Sequence, residues 1–93
     1  MTTALFTHNA CLTHDTGPGH PERIERLLAI VEALADPRFD ALDRREAPRA
    51  SRADLLRVHP AAYVDHVFAS MPTEGYGALD ADTVLSPGSG EAA

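Results

Sequence analysis

Apolar residues recur at helical spacing in two stretches of this 93-residue chain. After Pro21, the residues Ile24, Leu27, Leu28, Val31, Leu34 and Ala35 keep the i, i+3, i+4, i+7 pattern for three turns and predict a helix. Pro21 suits the first helical position, where its missing N–H has no partner to lose. Glu22 and Arg26 stand one turn apart, a spacing that pairs them and sets a carboxylate near the positive end of the helix dipole. Asp36-Pro37 closes the segment, because proline drives the preceding residue out of helical geometry. Pro60 opens a second such stretch, with Tyr63, Val64, Val67, Phe68 and Met71 as its core face, and Pro72 stops it. Between the two, Ser51 and Asp54 have capping-box spacing and predict a short helix ending at His59-Pro60, its buried side made by Leu55, Leu56 and Val58.

Strand signals are shorter. Ala4-Leu5-Phe6-Thr7 is an apolar run compatible with a buried strand. Leu42 to Ala47 lies between two helices, where an α/β protein places its next strand. Thr73 to Gly90 reads as a loop rich in Gly, Asp, Ser and Pro. At its end Ser86-Pro87 resembles an N-cap and first helical position, with too few residues left for the helix to pack on anything. The expectation is an α/β chain cut before its domain is complete.

Composition narrows the function classes. Eight basic residues, all Arg, against fourteen acidic ones give a net charge of −6. That balance argues against a general nucleic-acid binder, which must neutralise phosphates, and against docking on an anionic membrane surface. No apolar run approaches the ~20 residues of a membrane span, and no basic residue precedes Leu5-Phe6 as a secretory leader requires, so a cytoplasmic protein is expected. One cysteine, Cys11, leaves no internal disulfide and no CxxC pair. A small chain without such staples needs unusually good packing or support from outside itself.

The chemistry-bearing residues cluster in loops. In His14-Asp15-Thr16-Gly17-Pro18-Gly19-His20-Pro21-Glu22-Arg23, two glycines and a proline let the backbone turn sharply before a helix. His20, Glu22 and Arg23 then either line a pocket rim or simply form a turn and cap. His8, His14 and His20 with Cys11 raise a zinc site, but the spacings fit no standard finger, and solvated loop histidines are the plainer reading. His66 falls on the polar face of its helix, and His59 stands where it can cap one. Asp80 and Asp82 offer carboxylates two residues apart, either the start of a calcium loop that lacks its Gly and bidentate Glu, or an Asx turn. Gly17-Pro18-Gly19 does not make a phosphate-binding loop.

Three motifs taken together resemble a known family. Cys11-Leu12-Thr13-His14-Asp15-Thr16-Gly17-Pro18-Gly19-His20-Pro21-Glu22-Arg23-Ile24-Glu25-Arg26-Leu27, then Leu55-Leu56-Arg57-Val58-His59-Pro60-Ala61-Ala62-Tyr63-Val64, then Leu79-Asp80-Ala81-Asp82-Thr83 with Ser86-Pro87-Gly88-Ser89, are similar to the opening of bacterial class II histone deacetylase-like amidohydrolases. The resemblance implies that residues 1–93 are the N-terminal part of one domain with the arginase/deacetylase-type doubly wound parallel sheet. It implies an enzyme that hydrolyses acyl-lysine or acylpolyamine amides with a zinc ion polarising the carbonyl. The family's zinc ligands, His pair and oxyanion-stabilising Tyr lie further along than this chain reaches, so no catalytic or metal-ligating residue is expected here.

By the same resemblance Asp82 is the rim aspartate that holds substrate at the tunnel mouth, with Asp80 the less favoured choice. His14, His20 and Pro21 belong to the first rim loop, and Arg26 borders an internal channel. For Arg26 the helical wheel implies solvent and the family position implies burial, which agree only if further protein covers that face. The chain alone is then expected to be inactive and to be unstable, molten or self-associating through open apolar faces. The competing readings are a self-contained helical binding module, with a groove near His20 and Asp82, and a small metal-binding domain.

Overall fold

Two short strands pair in parallel in the computed structural model, which describes residues 1–93. The first, β1 (Ala4–Thr7), lies beside β2 (Asp43–Glu46), with Ala4 opposite Asp43 and Thr7 opposite Glu46. Parallel neighbours need a long crossover, and α1 (Ile24–Ala33) lies within it. Both strands expected from sequence are therefore present and the chain is mixed α/β, with a parallel sheet of two strands.

The first helix begins at Ile24, where the apolar spacing begins, three residues later than Pro21 as first helical position predicts. His20 Nδ1 accepts the Glu22 N–H at 3.0 Å, and the Thr16 hydroxyl bonds the Glu22 carbonyl. With its carbonyl taken by Thr16, Glu22 stays outside the helix, and extended Arg23 becomes the N-cap. Glu22 consequently meets His14 Nε2, at 3.6 Å, and does not pair with Arg26. Arg26 is exposed on α1 and enters no ion pair.

The second helical signal forms as expected at its start. Ser51 Oγ accepts the Asp54 N–H at 3.1 Å, Asp54 Oδ2 accepts the Ser51 N–H at 3.1 Å, and α2 (Arg52–Leu56) follows. It ends before Val58, which is 78% exposed where the sequence pattern put it on the buried side; Leu56 is exposed too. Pro60 caps α3 (Ala61–Ala69) from outside, and Val64 is its one buried residue. Tyr63 and Phe68, expected as core, are exposed.

Four features were not legible as elements. A 3₁₀ helix spans Asn9–Thr13, capped by His8 Nδ1, which accepts the Ala10 N–H at 2.9 Å, and a second covers Pro37–Phe39 behind the Asp36 cap. Inside the expected loop, β3 (Gly77–Ala78) and β4 (Val84–Leu85) form an antiparallel hairpin. The last helix, α4 (Ser89–Ala92), starts three residues beyond the expected cap at Ser86. It does pack, against the first 3₁₀ helix, which corrects the expectation that it had nothing to meet. A Cβ on Gly88 would collide with the Thr13 carbonyl and come within 2.6 Å of the Thr13 Cβ.

Little of the chain is covered. Five of 93 residues are buried, and only Val64 and Leu85 among them are apolar. The accessible surface is 6976 Å², against about 5,200 Å² for a compact monomer of 10.0 kDa. The radius of gyration is 15.4 Å where about 12 Å is usual for this length, and the extents of 42 × 34 × 19 Å describe a slab. Leu28, Ile30 and Val31 on α1 and Phe6 on β1 stay open to solvent. Parallel strands are normally covered on both faces, because their crossovers bring helices onto them. This slab has the local elements of such a fold without the cover.

Candidate functional site

A network of long-range side-chain hydrogen bonds lies where the glycine turn meets the C-terminal third. Thr16, Ser86 and Ser89, three of the five buried residues, are hydroxyl side chains. A buried hydroxyl is tolerable only when hydrogen-bonded, and each of these is. Ser89 Oγ accepts the Ser86 N–H at 2.8 Å and lies 2.6 Å from His14 Nδ1. Ser86 Oγ accepts the Asp15 N–H at 2.9 Å and donates to the Thr13 carbonyl at 3.3 Å. No buried side-chain nitrogen or oxygen lacks a partner.

Asp15 extends this network. Its Oδ1 accepts the Gly17 N–H at 2.9 Å and its Oδ2 accepts the Tyr76 hydroxyl at 2.9 Å. Both bonds favour the charged carboxylate, led by the Gly17 amide, and hold the Asp15 carboxyl below its ordinary range. The same contact favours the protonated phenol, so Tyr76 ionises above its ordinary value. Gly17 turns with φ +87 and Gly19 with φ +80, a region side chains other than glycine rarely adopt.

That turn delivers His20 to the tip of the β3–β4 hairpin. His20 Nε2 lies 3.0 Å from the Asp82 carbonyl oxygen, although 62 positions separate the two residues. A carbonyl only accepts, so Nε2 carries the proton, and Nδ1 is free to accept the Glu22 N–H. Asp80 does different work: its Oδ1 accepts the Asp82 N–H at 2.9 Å and the Thr83 N–H at 2.8 Å. This is the Asx turn among the alternatives, and its amide donors, that of Asp82 first, lower the Asp80 carboxyl from its ordinary value. The Asp82 carboxylate is exposed and takes part in no hydrogen bond or ion pair within the chain.

Of the residues singled out from sequence, the fold brings His20 and Asp82 together and places Asp80 beneath them in the turn. Arg26 stays apart on α1. The histidines raised as zinc ligands do not converge: His8 faces Glu46 at 3.3 Å, His14 faces Ser89 and Glu22, and His20 faces Asp82. No three His, Cys, Asp or Glu side chains come together in metal-binding geometry. Tyr76, Ser86 and Ser89 were missed as partners of the turn, and the serines of Ser86-Pro87-Gly88-Ser89 signalled only a helix start. A separate apolar groove of about 740 Å³ runs between the end of β2 and α3, with Leu55, Tyr63, Val67 and Phe68 on one wall. No helix is long and apolar enough to cross a membrane.

No protein-family model matches the chain. Individual relatives do. A histone deacetylase-like amidohydrolase of Pseudomonas aeruginosa is 36% identical over 98% of this chain and 28% of that protein. A probable deacetylase of Archaeoglobus fulgidus is 34% identical over 95% of this chain and 25% of its own length. An uncharacterized protein of Synechocystis is 40% identical over 82% of this chain and 26% of its own length. The chain thus matches an N-terminal segment of the histone deacetylase-like amidohydrolase family and spans about a quarter of the length of these relatives.

Proposed function

We propose that this segment supplies the opening layer and part of the substrate rim of a zinc-dependent hydrolase acting on acyl-lysine or acylpolyamine amides. The match to an amidohydrolase across 98% of the chain carries this reading. The meeting of His20 with Asp82 supports placing the rim here. In this role the exposed, unengaged Asp82 carboxylate accepts N–H donors from the substrate backbone and holds the acyl-lysine at the tunnel mouth. Asp80 shapes the turn that presents it, and His20 fixes the turn from the opposite side. Arg26 borders the channel once further protein covers α1.

Zinc requires three or four converging nitrogen, sulfur or oxygen ligands. The side chains of this segment do not converge in that way, so they do not fit the ion. Bond cleavage is assigned to residues outside these 93, and the chain alone is expected to be inactive. Joined to the remaining length of the Pseudomonas aeruginosa relative, the segment is expected to support zinc-dependent release of acetate from acetyl-lysine. Turnover by the isolated chain, or none by a joined protein that melts cooperatively, contradicts the proposal. In the active joined protein, Asp82→Ala is expected to raise KM at least about tenfold, the usual worth of a hydrogen bond to a charged group.

A further inference from the structure

We propose that Asp15, gripped by Tyr76, is the positioning residue that holds the glycine turn against both ends of the β3–β4 hairpin and thereby sets His20 against Asp82. This inference rests on the rim reading of His20 and Asp82 for its functional consequence, while its structural part stands on contacts alone. Asp15 uses three of its polar groups, the N–H and both carboxylate oxygens. Its N–H goes to Ser86, just beyond β4; its Oδ2 takes the hydroxyl of Tyr76, just before β3; its Oδ1 takes the Gly17 N–H inside the turn. One residue therefore ties the two outer ends of the hairpin to the start of the loop that carries His20.

Packing acts alongside these bonds. The Tyr76 ring lies 3.7 Å from where a Gly17 Cβ would stand, so ring and turn are in van der Waals reach. Gly17 is also the residue whose positive φ reverses the chain toward His20. The hairpin tip is then caught a second time, by His20 Nε2 on the Asp82 carbonyl at 3.0 Å. Fastened at its base by Asp15 and at its tip by His20, the hairpin has little freedom to move its aspartate relative to the turn. Neither Asp15 nor Tyr76 touches the proposed substrate position; both act through Gly17 and His20.

The test has two readouts. In the joined protein, amide hydrogen exchange at Gly17 is expected to be slowed, and to speed up at least about fivefold in Tyr76→Phe, the loss expected for one hydrogen bond. Tyr76→Phe keeps the ring against Gly17 and removes only the hydroxyl, so gross unfolding is not the expected cause. The His20 ring nitrogen resonances should shift in the same variant, because Nε2 loses its fixed acceptor. In the joined enzyme, Tyr76→Phe is expected to raise KM about fivefold with kcat unchanged. Exchange at Gly17 that is unprotected, or identical in the two proteins, overturns the clamp whatever the activity. A joined enzyme that turns over normally with either residue overturns its role at the rim. If the joined enzyme is inactive while Tyr76→Phe still releases Gly17, the clamp stands and the deacetylase reading fails.

Discussion

The hydroxyl-rich clasp between residues 13–22 and 76–89 and the apolar faces of α1, β1 and α3 are opposite in kind. In the clasp, Thr16, Ser86 and Ser89 are buried and each has a partner, although the residues come from distant parts of the sequence. On the faces, Leu28, Ile30, Val31, Tyr63 and Phe68 are placed by regular helices and stay about half exposed. Burial of apolar surface is normally the main favourable contribution to folding, at about 25 cal/mol per Å². Here the contribution is only partly realised where the apolar side chains are, and local order comes from hydrogen bonds whose net worth is about 1 kcal/mol each. The contrast separates apolar faces left open to solvent from a clasp whose buried hydroxyls are all partnered.

The largest effect that would break this contrast is expected from Gly88→Val. A side chain there meets backbone and the Thr13 Cβ, atoms that cannot swing away, and overpacking of this kind costs about 1–3 kcal/mol. Exchange at the Asp15 amide should rise toward the unprotected rate, while helicity in α3 is unchanged. Next comes Ser89→Ala, which leaves the Ser86 N–H buried without an acceptor and removes the partner of His14. It is expected to cost about 1–3 kcal/mol, read from the same exchange experiment. Ser51→Ala removes half of a capping box outside both regions and should cost about 1 kcal/mol of α2 without disturbing the Asp15 amide.

A pH titration sharpens the comparison. Asp15 is held below its ordinary carboxyl value, so its contribution is full above about pH 4 and is lost as pH falls through the lowered folded-state value. Tyr76 is raised, so its contribution is full below about pH 10 and is lost as pH rises through the raised value. Gly17 protection should therefore fail at both extremes and hold between them, and Asp15→Asn should weaken it across the whole range. The smallest stability change is expected from Val31→Glu on the open face of α1, within about ±0.5 kcal/mol for a surface site. Its effect should appear instead as reduced self-association by sedimentation velocity.

Local signals were legible in the sequence and long-range ones were not. Helical periodicity located α1 and α3, and the Ser51–Asp54 spacing located the α2 cap, because each depends on neighbours within one or two turns. Pro21 was misleading as a helix start, since Thr16 takes the Glu22 carbonyl that a helix would have used. Tyr63, Phe68, Leu56 and Val58 have core periodicity without core burial: the pattern records a face meant for contact and says nothing of whether the contact is present. The β3–β4 strands, two residues each, are too short for any alternation to mark them. Within the candidate site, Asp82 was singled out as the rim aspartate by resemblance, His20 by residue type and then by resemblance, and the Asx turn at Asp80 by residue type. Asp15–Tyr76 and Ser86–Asp15 join residues 61 and 71 positions apart through side chains with no periodic signature.

Sedimentation velocity of the purified 93-residue chain, taken with a thermal melt of the same sample, probes the uncovered faces most directly. Species heavier than 10.0 kDa, whose size falls on adding Val31→Glu, and a broad, weakly cooperative transition are expected. A monodisperse 10.0 kDa particle that unfolds in one sharp step would contradict this.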